Sequence, residues 1–337
     1  MSRFRALRVH ALDKTNTEAR LETLSLDDLG AGEVVIRVAW SGINYKDALA
    51  VTGKSRILRS YPKVPGIDLA GHVESSTDAR YKAGDAVLVT GCNIGEVLDG
   101  GYSEVARLPA DILVPLPKDL TLREAMAIGT AGFTAALALR RMLENHQTPG
   151  MGPIAVTGPT GGVGSIAIDL FKRAGFEVHA ITGKAGPGDA YLKSLGADVI
   201  VSRQSLDLGK RPMESAVWGG AVDNLGGETL TYLTRTVKPW GNIASIGLAQ
   251  SHELNTTVMP LILRGVSLLG IHSVECPRPW REAIWEKLAG EWKPRVLDQV
   301  VTREITLEQL PVACNDLIAG MVQGRTLVKV GDDQLNK

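Results

Sequence analysis

Gly158-Pro159-Thr160-Gly161-Gly162-Val163-Gly164 is the stretch whose reading decides the fold. It follows a short apolar, β-prone run, Ile154-Ala155-Val156-Thr157. It precedes Ser165-Ile166-Ala167-Ile168-Asp169-Leu170-Phe171, whose apolar residues recur at helical spacing. The order is strand, glycine turn, helix. Such a turn lets backbone amides come close to a pyrophosphate, and the helix that follows directs the positive end of its dipole at it. The glycine spacing is a variant of G-x-G-x-x-G, so the turn taken alone also fits a tight connection without a ligand.

Downstream the same alternation continues. It predicts strands at 177–182, 198–201, 220–223, 242–247 and 266–271, and helices over 189–195 and 280–288. Six strands with helical crossovers predict a doubly wound parallel sheet. Upstream, residues 6–10 and 33–38 alternate and favour β-branched side chains, and further short strands follow turns such as Lys82-Ala83-Gly84-Asp85. Many short strands between Gly/Pro turns predict a β-rich, barrel-like domain. Thr121-Leu122-Arg123-Glu124 has capping-box spacing and opens a helix, and the small residues of 128–137 mark the crossing between domains. Gly324-Arg325-Thr326-Leu327-Val328-Lys329-Val330 predicts a terminal strand that returns to the first domain. The expected division is 1–127 with 270–337 for the β-rich domain and 128–269 for the α/β domain.

Bulk composition agrees with two cores. The chain has 337 residues, 44% hydrophobic and 22% charged. Lys+Arg and Asp+Glu both number 37, so there is no basic bias of the kind a nucleic-acid or anionic-membrane partner calls for. Cys92, Cys276 and Cys314 are too widely spaced for a disulfide framework or a metal knuckle, which fits a reducing compartment. Met1-Ser2-Arg3-Phe4-Arg5-Ala6 enters no apolar leader segment, and no run reaches the length of a membrane helix. The expectation is a soluble, cytoplasmic protein.

In a doubly wound sheet, a carboxylate about 20 residues past the glycines grips the ribose hydroxyls of NAD. Here that position reads Ile181-Thr182-Gly183-Lys184, without Asp or Glu. A hydroxyl and an ammonium suit a 2′-phosphate, and Arg203 past the third strand offers a second cation. NADP(H) is the expected cofactor, with Thr182, Gly183, Lys184 and Arg203 around its phosphate.

Several motifs accumulate into a family resemblance along nearly the whole chain. They include Asn44-Tyr45-Lys46-Asp47-Ala48-Leu49-Ala50, Pro65-Gly66-Ile67-Asp68, and Ile128-Gly129-Thr130-Ala131-Gly132-Phe133-Thr134-Ala135. With them go Tyr191-Leu192-Lys193-Ser194-Leu195-Gly196-Ala197, Thr257-Val258-Met259-Pro260 and the 324–330 segment. The chain resembles the medium-chain dehydrogenase/reductase superfamily, within it the zinc-free quinone oxidoreductase group, and more narrowly the acryloyl-CoA reductase branch. This implies a GroES-like catalytic domain joined to a Rossmann domain. Zinc-dependent relatives carry a cysteine where this chain has Asn44-Tyr45, and Gly-His-Glu where it has Gly66-Ile67-Asp68. They also carry a four-cysteine loop for which the single Cys92 is no substitute, so no metal is expected. His72 and Glu74 alternate on a strand without a thiolate partner and read as packed or surface residues.

The resemblance implies NADPH-dependent reduction of the C=C bond of a short 2-enoyl-CoA, with hydride reaching the β-carbon and charge developing on the thioester oxygen. Two other readings stand beside it: a quinone or free-enone reductase, and a crystallin-like protein that binds the nucleotide without turnover. Tyr45 is read as a donor in the pocket or as an aromatic wall, and by resemblance it also lies against the cofactor. Asn44 is read as an amide donor or a turn former. Arg325 is read as a cation for the oxyanion or a ligand phosphate, or as a surface residue. The resemblance also places Thr160, Gly161, Gly162, Val163, Leu248 and Ser273 at the nucleotide. The loop Lys54-Ser55-Arg56-Ile57-Leu58-Arg59, with Lys63, is locally basic and is read as a landing site for coenzyme A phosphates or as a solvated patch. A homodimer is expected from the resemblance and from the edge potential of 266–271.

Overall fold

In the computed structural model, residues 3–184, 186 and 188–333 are described. Met1 and Ser2, the first residues of the N-terminal stretch read above, lie outside them. The chain opens with an antiparallel hairpin, β1 (Phe4–Ala11) and β2 (Thr17–Leu24). Then come β3 (Val34–Gly42), α1 (Tyr45–Thr52), β4 (Asp68–Ser76), β5 (Ala86–Thr90), β6 (Val105–Leu108), β7 (Val114–Pro115) and α2 (Leu122–Glu144). The capping box read at Thr121 is formed. Thr121 N–H donates to Glu124 Oε2 at 2.9 Å, and Glu124 N–H donates to Thr121 Oγ1 at 3.1 Å.

The alternating part follows: β8 (Ile154–Thr157), α3 (Gly162–Arg173), β9 (Val178–Thr182), α4 (Asp189–Ser194), β10 (Val199–Ser202) and β11 (Gly220–Asp223). It continues through α5 (Gly227–Thr236), β12 (Asn242–Ser245), α6 (Met259–Arg264) and β13 (Ser267–Gly270). The chain ends through α7 (Arg278–Ala289), α8 (Leu297–Val300), β14 (Val301–Ile305), α9 (Leu310–Ile318) and β15 (Arg325–Lys329).

Two units result: Met1–Thr130 with Val274–Glu291 and Val301–Lys337, and Ala131–Ser273 with Trp292–Val300. The first carries a seven-stranded sheet, β14-β15-β3-β4-β5-β7 with β6 also on β3. Its core is built where the inward residues of these strands meet, among them Ile36, Val38, Leu69, Val73, Val87 and Val89. β15 enters beside β3, Leu327 opposite Gly42, as the terminal-strand reading expects.

The second unit carries six parallel strands in the order β10-β9-β8-β11-β12-β13, the doubly wound arrangement. β8 is buried along its whole length, because a parallel strand in mid-sheet is covered on both faces. One expectation is corrected. The crossover from β10 to β11 has no α-helix, only a 3₁₀ turn at Arg203–Ser205. Pro212 brings no N–H, and the Glu214 carboxylate takes the N–H groups of Lys210 and Arg211 at 3.0 and 2.8 Å, which fixes a loop instead.

Candidate functional site

In the first unit, the polar residues of the Asn44 and Asp68 motifs form one buried cluster. α1 begins at Tyr45, with Asn44 as its N-cap and Asp47 in its first turn. Asp47 Oδ2 accepts from the Asn44 N–H at 2.9 Å, and Asp47 Oδ1 accepts from the Ile67 N–H at 2.8 Å. A single carboxylate thereby fixes the helix entry and the segment leading into β4. Asn44 Nδ2 donates to Asp68 Oδ2 at 2.8 Å and to Asp47 Oδ2 at 3.2 Å. Thr130 adds its hydroxyl and its N–H to Asp68, at 2.6 and 3.0 Å.

Arg325, from the start of β15, closes the cluster. Its Nη1 donates to Asn44 Oδ1 at 2.9 Å and to the Ile43 carbonyl at 3.1 Å. Its Nη2 lies 3.2 Å from the Met126 carbonyl and 3.5 Å from Asp68 Oδ2. Arg325 Nε is buried without a partner among the described residues. Gly129 interrupts α2 at φ 50° and ψ −161°. A Cβ there would stand 2.5 Å from Arg325 Nη2 and 2.6 Å from Asp68 Oδ2, so the missing side chain makes room for the ion pair.

These positions revise two readings. Arg325 is 2% exposed, so it is not a surface residue. Its two terminal guanidinium nitrogens and both Asn44 amide hydrogens are committed to protein partners, which leaves Asn44 without a free donor for a ligand. Tyr45, in contrast, is 46% exposed at the head of α1 and is the accessible aromatic group beside this cluster. Sequence reading missed Asp47, Asp68 and Thr130 as members. For Asp47 the signal was present, an acidic residue three positions after the Asn44 cap. Burial, then the neighbouring Asp68, pushes the Asp47 carboxyl up to about 7. Among the described residues no group of three or more His, Cys, Asp and Glu is arranged to hold a metal ion. His72 bonds main-chain carbonyls and Glu74 pairs with Arg37 at 3.0 Å.

In the second unit, the residues expected at a nucleotide lie at the carboxyl ends of the parallel strands, whose order reverses between β8 and β11. Thr160, Gly161, Gly162 and Val163 form the turn into α3, with Gly161 as N-cap. A Cβ on Gly164 would run into the Gly158 carbonyl oxygen, so this glycine lets helix and strand close together. Asp223 at the end of β11 accepts from Thr157 Oγ1 and from the Gly226 N–H, both at 2.8 Å. Asn224 Nδ2 donates to the Thr157 carbonyl at 2.7 Å, while Asn224 Oδ1 is buried with no partner among the described residues. A buried acceptor without a protein donor beside the glycine turn fits a site that a ligand hydroxyl or amide completes.

Thr182 ends β9 and its Oγ1 accepts the Lys184 N–H at 3.0 Å. The Arg203 guanidinium stands 3.1 Å from where a Cβ on Gly183 would lie, so Gly183 and Arg203 are brought together. Leu248 follows β12 with 63% exposure, and Ser273 follows β13 half-buried. Thr182 is the last residue of its strand and the others follow theirs, at the carboxyl-terminal edge where such sheets bind ligands.

Two family models match the chain: an alcohol dehydrogenase GroES-like domain over residues 30–118 and a zinc-binding dehydrogenase over residues 162–289. The acrylyl-CoA reductase AcuI of Ruegeria pomeroyi is 47% identical, over 93% of this chain and 95% of its own length. The putative quinone oxidoreductase YhfP of Bacillus subtilis is 45% identical, over 94% of this chain and 96% of its own. The crystal structure of the yhdH oxidoreductase from Salmonella enterica in complex with NADP superposes with a TM-score of 0.93 at 43% identity, covering 97% of this chain and 100% of that one. Fold and relatives together define an oxidoreductase built on a dinucleotide-binding sheet. The chain belongs to the medium-chain dehydrogenase/reductase family.

Proposed function

We propose that this protein reduces the C=C bond of a short 2-enoyl-CoA, acryloyl-CoA to propanoyl-CoA, with NADPH. The observation that carries the cofactor half is the strand-end chemistry: no carboxylate after β9, and Thr182, Lys184 and Arg203 in its place. The NADP-bound yhdH structure supports the same cofactor. The substrate half rests on the 47% identity to an acrylyl-CoA reductase.

NADPH, when bound, supplies a hydride to the β-carbon of the thioester, and the matching proton reaches the α-carbon from water. The Tyr45 hydroxyl is the donor for the thioester oxygen as charge develops there, because it is exposed at the head of α1. Asn44 and Arg325 act as positioning residues. They lock α1 and the 66–68 segment through Asp47 and Asp68, so that Tyr45 is presented in one orientation. Thr160, Gly161, Gly162 and Val163 take the pyrophosphate, and Leu248 and Ser273 border the nicotinamide end.

The protein acts as a cytoplasmic homodimer in this reading. The edge strand β13 and neighbouring α6 leave Leu268, Leu261, Ile262 and Leu263 exposed, by 71% at Ile262. A second sheet edge would cover them. The deciding experiment is steady-state kinetics with acryloyl-CoA, longer enoyl-CoAs and a quinone, each with NADPH and NADH. The greatest kcat/KM is expected for acryloyl-CoA with NADPH. Turnover of quinones without turnover of acryloyl-CoA would instead select the alternative that the 45% identity to YhfP favours.

A further inference from the structure

The connection from α1 to β4 is held at its base by the buried cluster. The chain leaves α1 at Gly53 and returns at Ile67, whose N–H is bonded to Asp47 in the first turn of the same helix. Between these points the loop is anchored repeatedly. Leu58 is 1% exposed and packs with Val9 and Ala50. The Arg59 N–H donates to the Glu96 carbonyl at 3.0 Å, and Lys63 exchanges main-chain bonds with Val9 at 2.9 and 3.1 Å.

On this fixed loop Lys54, Arg56 and Arg59 are exposed, and among the described residues none of their side chains has an ion-pair or hydrogen-bond partner. Several other cations of the same unit are paired. Lys46 pairs with Glu96 at 2.9 Å, Lys63 with Asp99 at 3.7 Å, Arg37 with Glu74 at 3.0 Å and Arg123 with Glu304 at 2.6 Å. Lys63 is therefore removed from the basic patch that the sequence reading included. In a chain with equal numbers of acidic and basic residues, three unmatched cations within six positions make a local positive field. Two are arginines, whose planar forks suit phosphate oxygens.

We propose that Lys54, Arg56 and Arg59 receive the phosphate groups of a coenzyme A thioester whose acyl end is at Tyr45. This rests on the enoyl-CoA reading above. α1 separates the two ends: its eight residues span about 12 Å from Tyr45 to the loop, a distance that the extended pantetheine arm covers. The recognition is electrostatic and concerns the nucleotide end of the substrate, not the reacting carbons.

The test compares wild type with the triple variant Lys54→Gln, Arg56→Gln, Arg59→Gln. Acryloyl-CoA is the substrate in one arm and acryloyl-pantetheine, which has the same thioester without the phosphates, in the other. For acryloyl-CoA at low salt, KM should rise about tenfold in the variant with kcat unchanged, and the salt dependence of the wild-type KM should be lost. KM for acryloyl-pantetheine and for NADPH should stay as in wild type. Equal changes with both thioesters, no change with either, or a matching rise in KM for NADPH would overturn the assignment.

A direct titration with coenzyme A separates this claim from the enzymatic one. Wild type that binds coenzyme A through the loop but reduces no enoyl thioester keeps the site and sinks the activity. Turnover of acryloyl-CoA that is indifferent to the triple substitution does the reverse. Arg56→Lys with Arg59→Lys, which keeps the charge, should restore most of the affinity.

Discussion

Arg325 Nη2 lies 3.5 Å from Asp68 Oδ2, with both side chains essentially withdrawn from solvent and 257 residues apart in sequence. The pair shares Asn44, which accepts from the arginine through its carbonyl oxygen and donates to the aspartate through its amide. Removing one member leaves the other charge buried alone. Arg325→Ala should destabilise the protein by about 3–5 kcal/mol in chemical denaturation. Arg325→Met combined with Asp68→Asn should recover most of that loss. Additive losses in the double variant would show that the two residues do not act as a pair.

Gly129→Ala meets both a backbone and a packing obstacle, since φ is positive and the new Cβ would press on Arg325 and Asp68. A loss of about 3 kcal/mol or more is expected. Gly150→Ala serves as the comparison, because nothing lies within 4 Å of a Cβ there. Similar unfolding midpoints for the two variants would contradict the crowding described at Gly129.

Asp47 sets a pH dependence. Its folded-state value of about 7 lies above the ordinary 3.8, so the folded protein holds this proton more firmly than the unfolded chain. The stabilisation from that proton is fully present below the ordinary value, declines as pH rises towards 7 and is level above it. Unfolding midpoints of wild type and Asp47→Asn, compared at about pH 4.5 and about pH 8, should show wild type losing ground to the variant at the higher pH. A difference independent of pH would rule out titration of Asp47 in this window.

Tyr45→Phe separates a hydroxyl donor from an aromatic wall. Loss of a donor to the developing oxyanion should lower kcat about a hundredfold, with little change in cofactor affinity. If the phenylalanine enzyme keeps full kcat, Tyr45 serves only by packing.

Arg203→Ala and Lys184→Ala together should weaken NADPH binding about tenfold or more in a fluorescence titration, with NADH binding nearly unaltered. Equal weakening of the two nucleotides would mean that the 2′-phosphate lies elsewhere.

The α/β half was legible because its signals are local. The glycine turn, the apolar strand before it and the helix after it lie within eighteen consecutive residues, from Ile154 to Phe171. Chain-order alternation then carries the strand order. The crossover after β10 was misread because Glu214, four residues beyond Lys210, draws main-chain donors out of any helix. The buried cluster was harder to read. Asn44 and Arg325 each stand out singly in the sequence, but no periodicity reveals that a residue at 325 completes a cap at 44 or that Thr130 grips Asp68. Such contacts exist only after β15 lies beside β3, and burial changes the role of Arg325 from a ligand contact to an internal brace.

The position of Arg325 on the last strand has a consequence for biosynthesis. Strands β8 to β13 emerge from the ribosome as one uninterrupted run and can pair as they appear. The other sheet has to wait, since β14 and β15 are translated after everything they join. Until then the Asp68 carboxylate lacks its cation, and the cavity around Gly129 lacks its occupant. A nascent chain stalled shortly before Arg325 would carry all six strands of the parallel sheet while the Asp68 carboxylate still waits for its partner, so the last strand to be made is the one that balances the buried charge of the other sheet.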